Sequence, residues 1–283
     1  MVMTIVDTYN EIIKIFSTLA FDLETWKKYS LTISPSLQEQ VHKDASKYDF
    51  NKDILPVIKN ALSNRSKLEV LHTNFLQVTK SLDKEIFNKF NINLDLDIIL
   101  YLGLCNGAGW FTKLDNRRVV LLGIEKILEL GWEDITSLRA LLYHELGHVW
   151  HDIQRDGSDM DNRSSIFQLY QEGIAMVFEQ TMYDDTNYFH QYKDDWLDWC
   201  LNNEGEIKKE FLRRIQSKDS TQDFFGDWCN YKGYSDVGYF LGAQFIRYLL
   251  KKYTLTEIAK MKIPDINIQF SDYVESIYLH EHS

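Results

Sequence analysis

The 283-residue chain has little of what usually marks a special environment. Its three cysteines, Cys105, Cys200 and Cys229, are scattered and lack C-x-x-C spacing. That excludes a disulfide framework and a cysteine-built zinc site, and structural thiols are expected instead. Only 3 prolines and 13 glycines are present, which leaves no room for long linkers or low-complexity disorder. Basic side chains are outnumbered, 31 against 42, for a net charge of −11. This deficit argues against nucleic acid and anionic membranes as partners, since both need a basic footprint. No apolar run approaches the roughly 20 residues of a membrane span. The opening stretch carries Asp7 and Glu11 and no basic segment ahead of an apolar core, so it does not read as a secretory signal. A soluble, cytoplasmic protein is expected.

What the chain does have is core-forming material: 45% apolar residues and 14% aromatics, enough for one large domain or two to three subdomains. The expected fold class is α+β, predominantly helical, in three parts. Residues 1–92 read as a helical region, with Val6, Tyr9, Ile13 and Phe16, and then Leu68, Leu71, Phe75 and Val78, recurring at helical spacing. Breaks are expected at Ser34-Pro35 and around Asn51 to Asp53. Residues 93–155 read as a small sheet plus one helix. Ile98 to Leu102 and Val119 to Leu122 are the strand candidates, and a third is expected near Phe111. Residues 156–283 read as a C-terminal helical subdomain.

The chemistry concentrates in His144-Glu145-Leu146-Gly147-His148, an H-E-x-x-H pattern. Two histidines four apart stand about 40° apart on a helix, one turn above each other, so both imidazoles can reach one ion. The glutamate between them is then placed to act on metal-activated water. Ile135, Leu138, Leu142, Leu146, Val149 and Ile153 fall on the opposite face, so one side should enter the core while the other faces a cleft. A catalytic zinc needs a third protein ligand. His151 would have to pair with His148 alone, and position 154, where a metzincin would carry its third histidine, is Gln. Glu172 remains, within Glu172-Gly173-Ile174-Ala175 on a second amphipathic segment.

On these residues the chain resembles the gluzincin metallopeptidases, among them thermolysin and the aminopeptidase N family. In that group the third ligand is a glutamate on a second helix, often within E-G-x-A. Two further segments are similar. Tyr239-Phe240-Leu241-Gly242-Ala243 looks like the Y-x-x-G-A segment that carries the catalytic tyrosine, with Tyr234 as a substitute should the helix begin later. Gly107-Ala108-Gly109-Trp110 stands near where the family has its substrate-lining G-A-M-E-N. There the family's amino-terminus-binding glutamate is replaced by Trp110, so the resemblance implies endopeptidase action as readily as aminopeptidase action. Glu179, seven residues after Glu172, matches the last position of E-G-x-A-x-x-x-E and would support a ligand from behind; Asp152 is a second candidate. The order of elements is also similar to that of small bacterial zinc-dependent proteases, and residues 1–92 lie outside the likeness.

The resemblance implies a zincin-like core and one Zn²⁺ per chain held by His144, His148 and Glu172. Glu145 would be the general base, Tyr239 would stabilise the oxyanion, and a peptide or protein would be the substrate. Two other readings fit the same motif: a zinc-binding or relic-site protein without catalysis, and a zinc hydrolase acting on a non-peptide amide or an epoxide.

Overall fold

The computed structural model describes residues 3–16, 21–156, 162–191, 194–226 and 228–276. In chain order, β1 (Met3–Asp7) and α1 (Tyr9–Phe16) are followed by α2 (Leu23–Ile33), α3 (Pro35–Ala45), a π-helical turn (Phe50–Ile54), α4 (Leu55–Ser63), α5 (Arg65–Thr79) and α6 (Leu82–Phe90). Next come β2 (Leu96–Tyr101), β3 (Gly109–Leu114), β4 (Arg117–Gly123), α7 (Ile124–Leu130) and α8 (Ile135–Gln154). The remainder is α9 (Ser165–Tyr183), α10 (Trp196–Ser217), α11 (Val237–Leu250), α12 (Leu255–Ala259) and α13 (Ile263–Glu275). The class is α+β, mostly helical, with one small mixed sheet. Two compact units emerge, Met1–Leu146 and Gly147–Ser283, and the division falls within the continuous helix α8.

In the first unit the strand order is β1-β2-β4-β3. β1 and β4 flank β2 in parallel, and β3 closes one edge antiparallel to β4. Ile98 to Tyr101 and Val119 to Leu122 are buried without alternation, as expected for parallel strands covered on both faces. The helical expectation for residues 1–92 needs one correction. Met3 to Asp7 form a strand in register with Leu96 to Leu100, and the helix starts only at Tyr9. Ile5 and Val6 gain a pairing partner some ninety positions downstream, which local periodicity could not reveal.

The helices that follow are pinned to the end of β2. Trp26 donates its indole N–H to the Leu102 carbonyl (2.8 Å), and the Tyr29 hydroxyl meets Thr8 Oγ1 (2.7 Å) and the Leu102 N–H (3.1 Å). Ser34 ends α2 and caps α3, whose first residue is Pro35, so the break expected there falls between two helices. The one expected around Asn51 to Asp53 is instead a π-helical turn, capped by Asp49.

In the second unit α9 and α11 cross at backbone contact. A Cβ built on Gly173 would stand 2.4 Å from the Gly242 carbonyl oxygen, and one on Gly242 would stand 2.6 Å from that of Leu169. The buried residues on these helices, among them Leu169, Ile174, Phe178, Leu241 and Phe245, fill the space around the crossing. Among the described residues no helix is long and apolar enough to cross a membrane.

Candidate metal and catalytic site

α8 begins where Asp134 accepts from the N–H groups of Thr136 (2.8 Å) and Ser137 (3.1 Å), satisfying donors that a helix start leaves unpaired. Leu138, Leu142, Leu146 and Val149 are buried, as the apolar stripe requires. The opposite face does not open as expected: His144, Glu145, His151 and Asp152 are buried too, and His148 keeps partial exposure. The cause is local. Gly147 lets α9 come close, since a Cβ there would lie 2.7 Å from the Ala175 Cα and 3.1 Å from the Phe178 Cβ. Two crossings through small residues thus fix α9, one at Gly147 and Ala175 and one at Gly173 and Gly242. The residues of chemical interest sit beside these crossings: His148 next to Gly147, Glu172 next to Gly173, Tyr239 one turn before Gly242.

Glu172 Oε2 lies 3.3 Å from His148 Nε2. Taking one donor atom from each, His144, His148 and Glu172 form a group in which all three atoms lie within 4.8 Å of one another. Ligands about 2.0–2.1 Å from a tetrahedral zinc stand roughly 3.3 Å apart, and a charge-assisted N–H···O bond is shorter, about 2.7–2.9 Å. Two imidazoles and one carboxylate are also the donor set of an open, catalytic zinc site. The residues present therefore fit the ion.

Glu145 is buried against the sheet. A Cβ on Gly109, the first residue of β3, would lie 2.6 Å from Glu145 Oε1 and 2.8 Å from Leu141 Cδ1, so any larger residue there would have to displace these side chains. The segment leading to it is held firmly. Glu125, fully buried, accepts the N–H groups of Gly103 (2.8 Å) and Cys105 (3.0 Å), and burial pushes its carboxyl above the ordinary carboxylate range. Gly107 precedes the strand, the Ala108 carbonyl accepts from the Gly123 N–H at 3.0 Å, and Trp110 is half-buried on β3.

Glu179 is buried on α9 and accepts from His190 Nδ1 with both oxygens, at 2.8 and 3.0 Å. His190 Nε2 in turn lies 2.8 Å from the Gln191 amide nitrogen. Donor atoms of His144, Glu179 and His190 also group within 4.8 Å. His190 escaped the sequence reading because it sits in the irregular stretch after α9, eleven residues past Glu179, where no helical spacing links the two. The Tyr239 ring meets His190 edge-on at 6.4 Å and Phe225 at 5.9 Å. It lies in the first turn of α11, whose start is fixed by Asp236 accepting from the Gly226 N–H (2.9 Å). Tyr234 precedes that helix, stacks on Trp199 at 4.2 Å and gives its hydroxyl to Asp195 (3.0 Å). Its substitute role is therefore not supported. His151 turns toward Tyr170 and Phe167, 5.3 and 6.2 Å between ring centroids, and Asp152 is buried beside it on α8. The three cysteines are free thiols.

No family model, no curated protein and no solved structure matches the chain.

Proposed function

We propose that the chain is a zinc-dependent peptidase with a zincin-like core, working without nucleic acid or membrane as partner. The observation that carries this reading is the meeting of donor atoms from His144, His148 and Glu172 in one group, with Glu145 between the two histidines in sequence. A zinc ion held by His144, His148 and Glu172 would supply Lewis acidity, acidifying water and polarising the scissile carbonyl. Glu145 takes the proton of the attacking water as the C–O bond forms, and delivers it to the amine nitrogen as the C–N bond breaks. Its burial beside Gly109 keeps competing solvent away from that carboxylate. Tyr239 donates its hydroxyl to the carbonyl oxygen as charge grows there. The Glu179–His190 pair stands beside His144, with one donor atom from each of the three within 4.8 Å of the others. The edge of β3 receives the substrate as an added strand, which favours an extended peptide over a compact amide or epoxide.

The test is metal content together with one substitution. The purified protein should carry about one zinc per chain. Glu145→Gln should retain the ion while turnover of a mixed peptide library falls about 10²–10⁴-fold. Undiminished turnover in that variant, or a protein that takes up no zinc under gentle loading, removes the reading.

A further inference from the structure

The outer strand β3 uses only half of its backbone groups on β4. Antiparallel neighbours bond at alternate residues, and the bond from the Gly123 N–H to the Ala108 carbonyl sets the phase. Ala108, Trp110, Thr112 and Leu114 face β4, while Gly109, Phe111 and Lys113 turn their N–H and C=O groups to the open edge. The Lys113 carbonyl is occupied. Gln40 on α3 donates its side-chain amide to it at 3.0 Å, and the same side chain accepts from Thr112 Oγ1 at 2.9 Å. Just beyond, the Ser34 and Ser36 hydroxyls clasp Asp115 at the hairpin turn. At the other end Asn106 donates to the Val41 carbonyl and to Asp44, both at 3.0 Å. α3 therefore holds both ends of the strand, and the stretch between them is a short window. Gly109 and Phe111 make no other hydrogen bond among the described residues. Their open groups are spaced by about 7 Å, two strand rises, which matches a substrate segment of three residues.

We infer that Gln40 sets the length of substrate that this edge accepts. The inference rests on the peptidase reading above. Glu145 packs against Gly109, so the bond to be cut lies at that end of the window. On the side of the cut that runs along β3, three residues pair with the edge, the fourth turns its backbone groups away, and the fifth meets Gln40 where it would otherwise take up the Lys113 carbonyl. Without the glutamine, the fifth substrate residue joins the ladder.

The experiment is a ladder of peptides lengthened one residue at a time, separately on each side of the cut, read as kcat/KM with the zinc-loaded full chain. In the wild type, kcat/KM should climb to the third residue on one side and then stop. In Gln40→Ala it should climb about 5-fold further with the fifth, the gain of one net hydrogen bond. Thr112→Val, which frees Gln40 from its anchor while leaving it in place, should shift the profile in the same direction. A wild-type profile that climbs past the third residue on both sides, or identical profiles in wild type and Gln40→Ala, overturns the inference. Amide exchange in Glu145→Gln with an uncut peptide keeps the two readings apart. Protection at Gly109 and Phe111 with unchanged length profiles removes only the role of Gln40. No protection and no cleavage with one zinc bound removes the peptidase reading, and this inference with it.

Discussion

The helices of residues 23–90 and those of residues 147–250 pack by different rules. In the first set the contacts are made by full-sized side chains: Trp26, Leu37, Val41, Ile58, Leu68, Leu71 and Phe75 are all buried. Such packing tolerates small adjustments, because rotamers can share a displacement. In the second set the contacts at Gly147, Gly173 and Gly242 are backbone against backbone, and no rotamer is available to absorb a change. Flexible packing serves a scaffold, whereas rigid packing serves donor atoms that must meet within a few tenths of an ångström. His148, Glu172 and Tyr239 all flank the rigid crossings.

The largest expected effect tests that contrast directly. Gly173→Ala should raise stability by roughly 1 kcal/mol on helix propensity alone. At this crossing the new Cβ would instead stand 2.4 Å from the Gly242 carbonyl oxygen. Unfolding in urea should therefore show a loss of about 3 kcal/mol, with zinc content falling alongside. Leu71→Ala, in the other set, should lose a similar amount, about 2–5 kcal/mol, but leave zinc content intact. If Gly173→Ala proves neutral, the distinction between the two kinds of packing is broken.

Next in size is Tyr239→Phe, which keeps the ring and its contacts with His190 and Phe225. Steady-state kinetics should show kcat lower by about 100-fold with KM nearly unchanged, the signature of a donor that acts only in the transition state. A change confined to KM would instead assign the hydroxyl to ground-state binding.

The smallest effect concerns a polar group enclosed by the close approach of α8 and α9. Burial, then the charges of Arg155 and His148, holds the His151 imidazole well below its ordinary 6.5. The unfolded chain takes up a proton near pH 6.5 that the folded chain refuses, so stability from this residue is complete above that pH and is lost as pH falls below it. The limiting slope is about 1.4 kcal/mol per pH unit. Metal-free protein melted between pH 7 and pH 5 should lose stability along this slope, and His151→Leu should flatten it. Parallel curves would mean that the folded chain takes up the His151 proton as readily as the unfolded chain.

Much of the candidate site was legible in the sequence, because its spacing is a local property. His144 and His148 need only one helix, and Glu172-Gly173-Ile174-Ala175 needs only a second. The two strands after Leu94 were legible as apolar runs, and the third near Phe111 followed from the turn between them. Long-range pairing was not legible. β1 depends on a partner far along the chain, and nothing within Met3 to Asp7 names it. His190 meets Glu179 through an irregular connection. The enclosure of the polar face of α8 was missed for a related reason: helical periodicity assumes a side-chain layer around each helix, and Gly147 removes that layer. The bonds from Gln40 to Thr112 and Lys113 likewise join segments about seventy residues apart.

The contact between Gly173 and Gly242 also bears on how this chain can change over time. Two helices that touch through bare backbone cannot slide along each other, because a shift of one turn would drive a full side chain into the space where none fits. Their alignment is therefore independent of whatever joins them. Between them, insertions are tolerated at the exposed stretch from Lys218 to Ser220, and not at His190, Phe225 or Gly226, which meet Glu179, Tyr239 and Asp236.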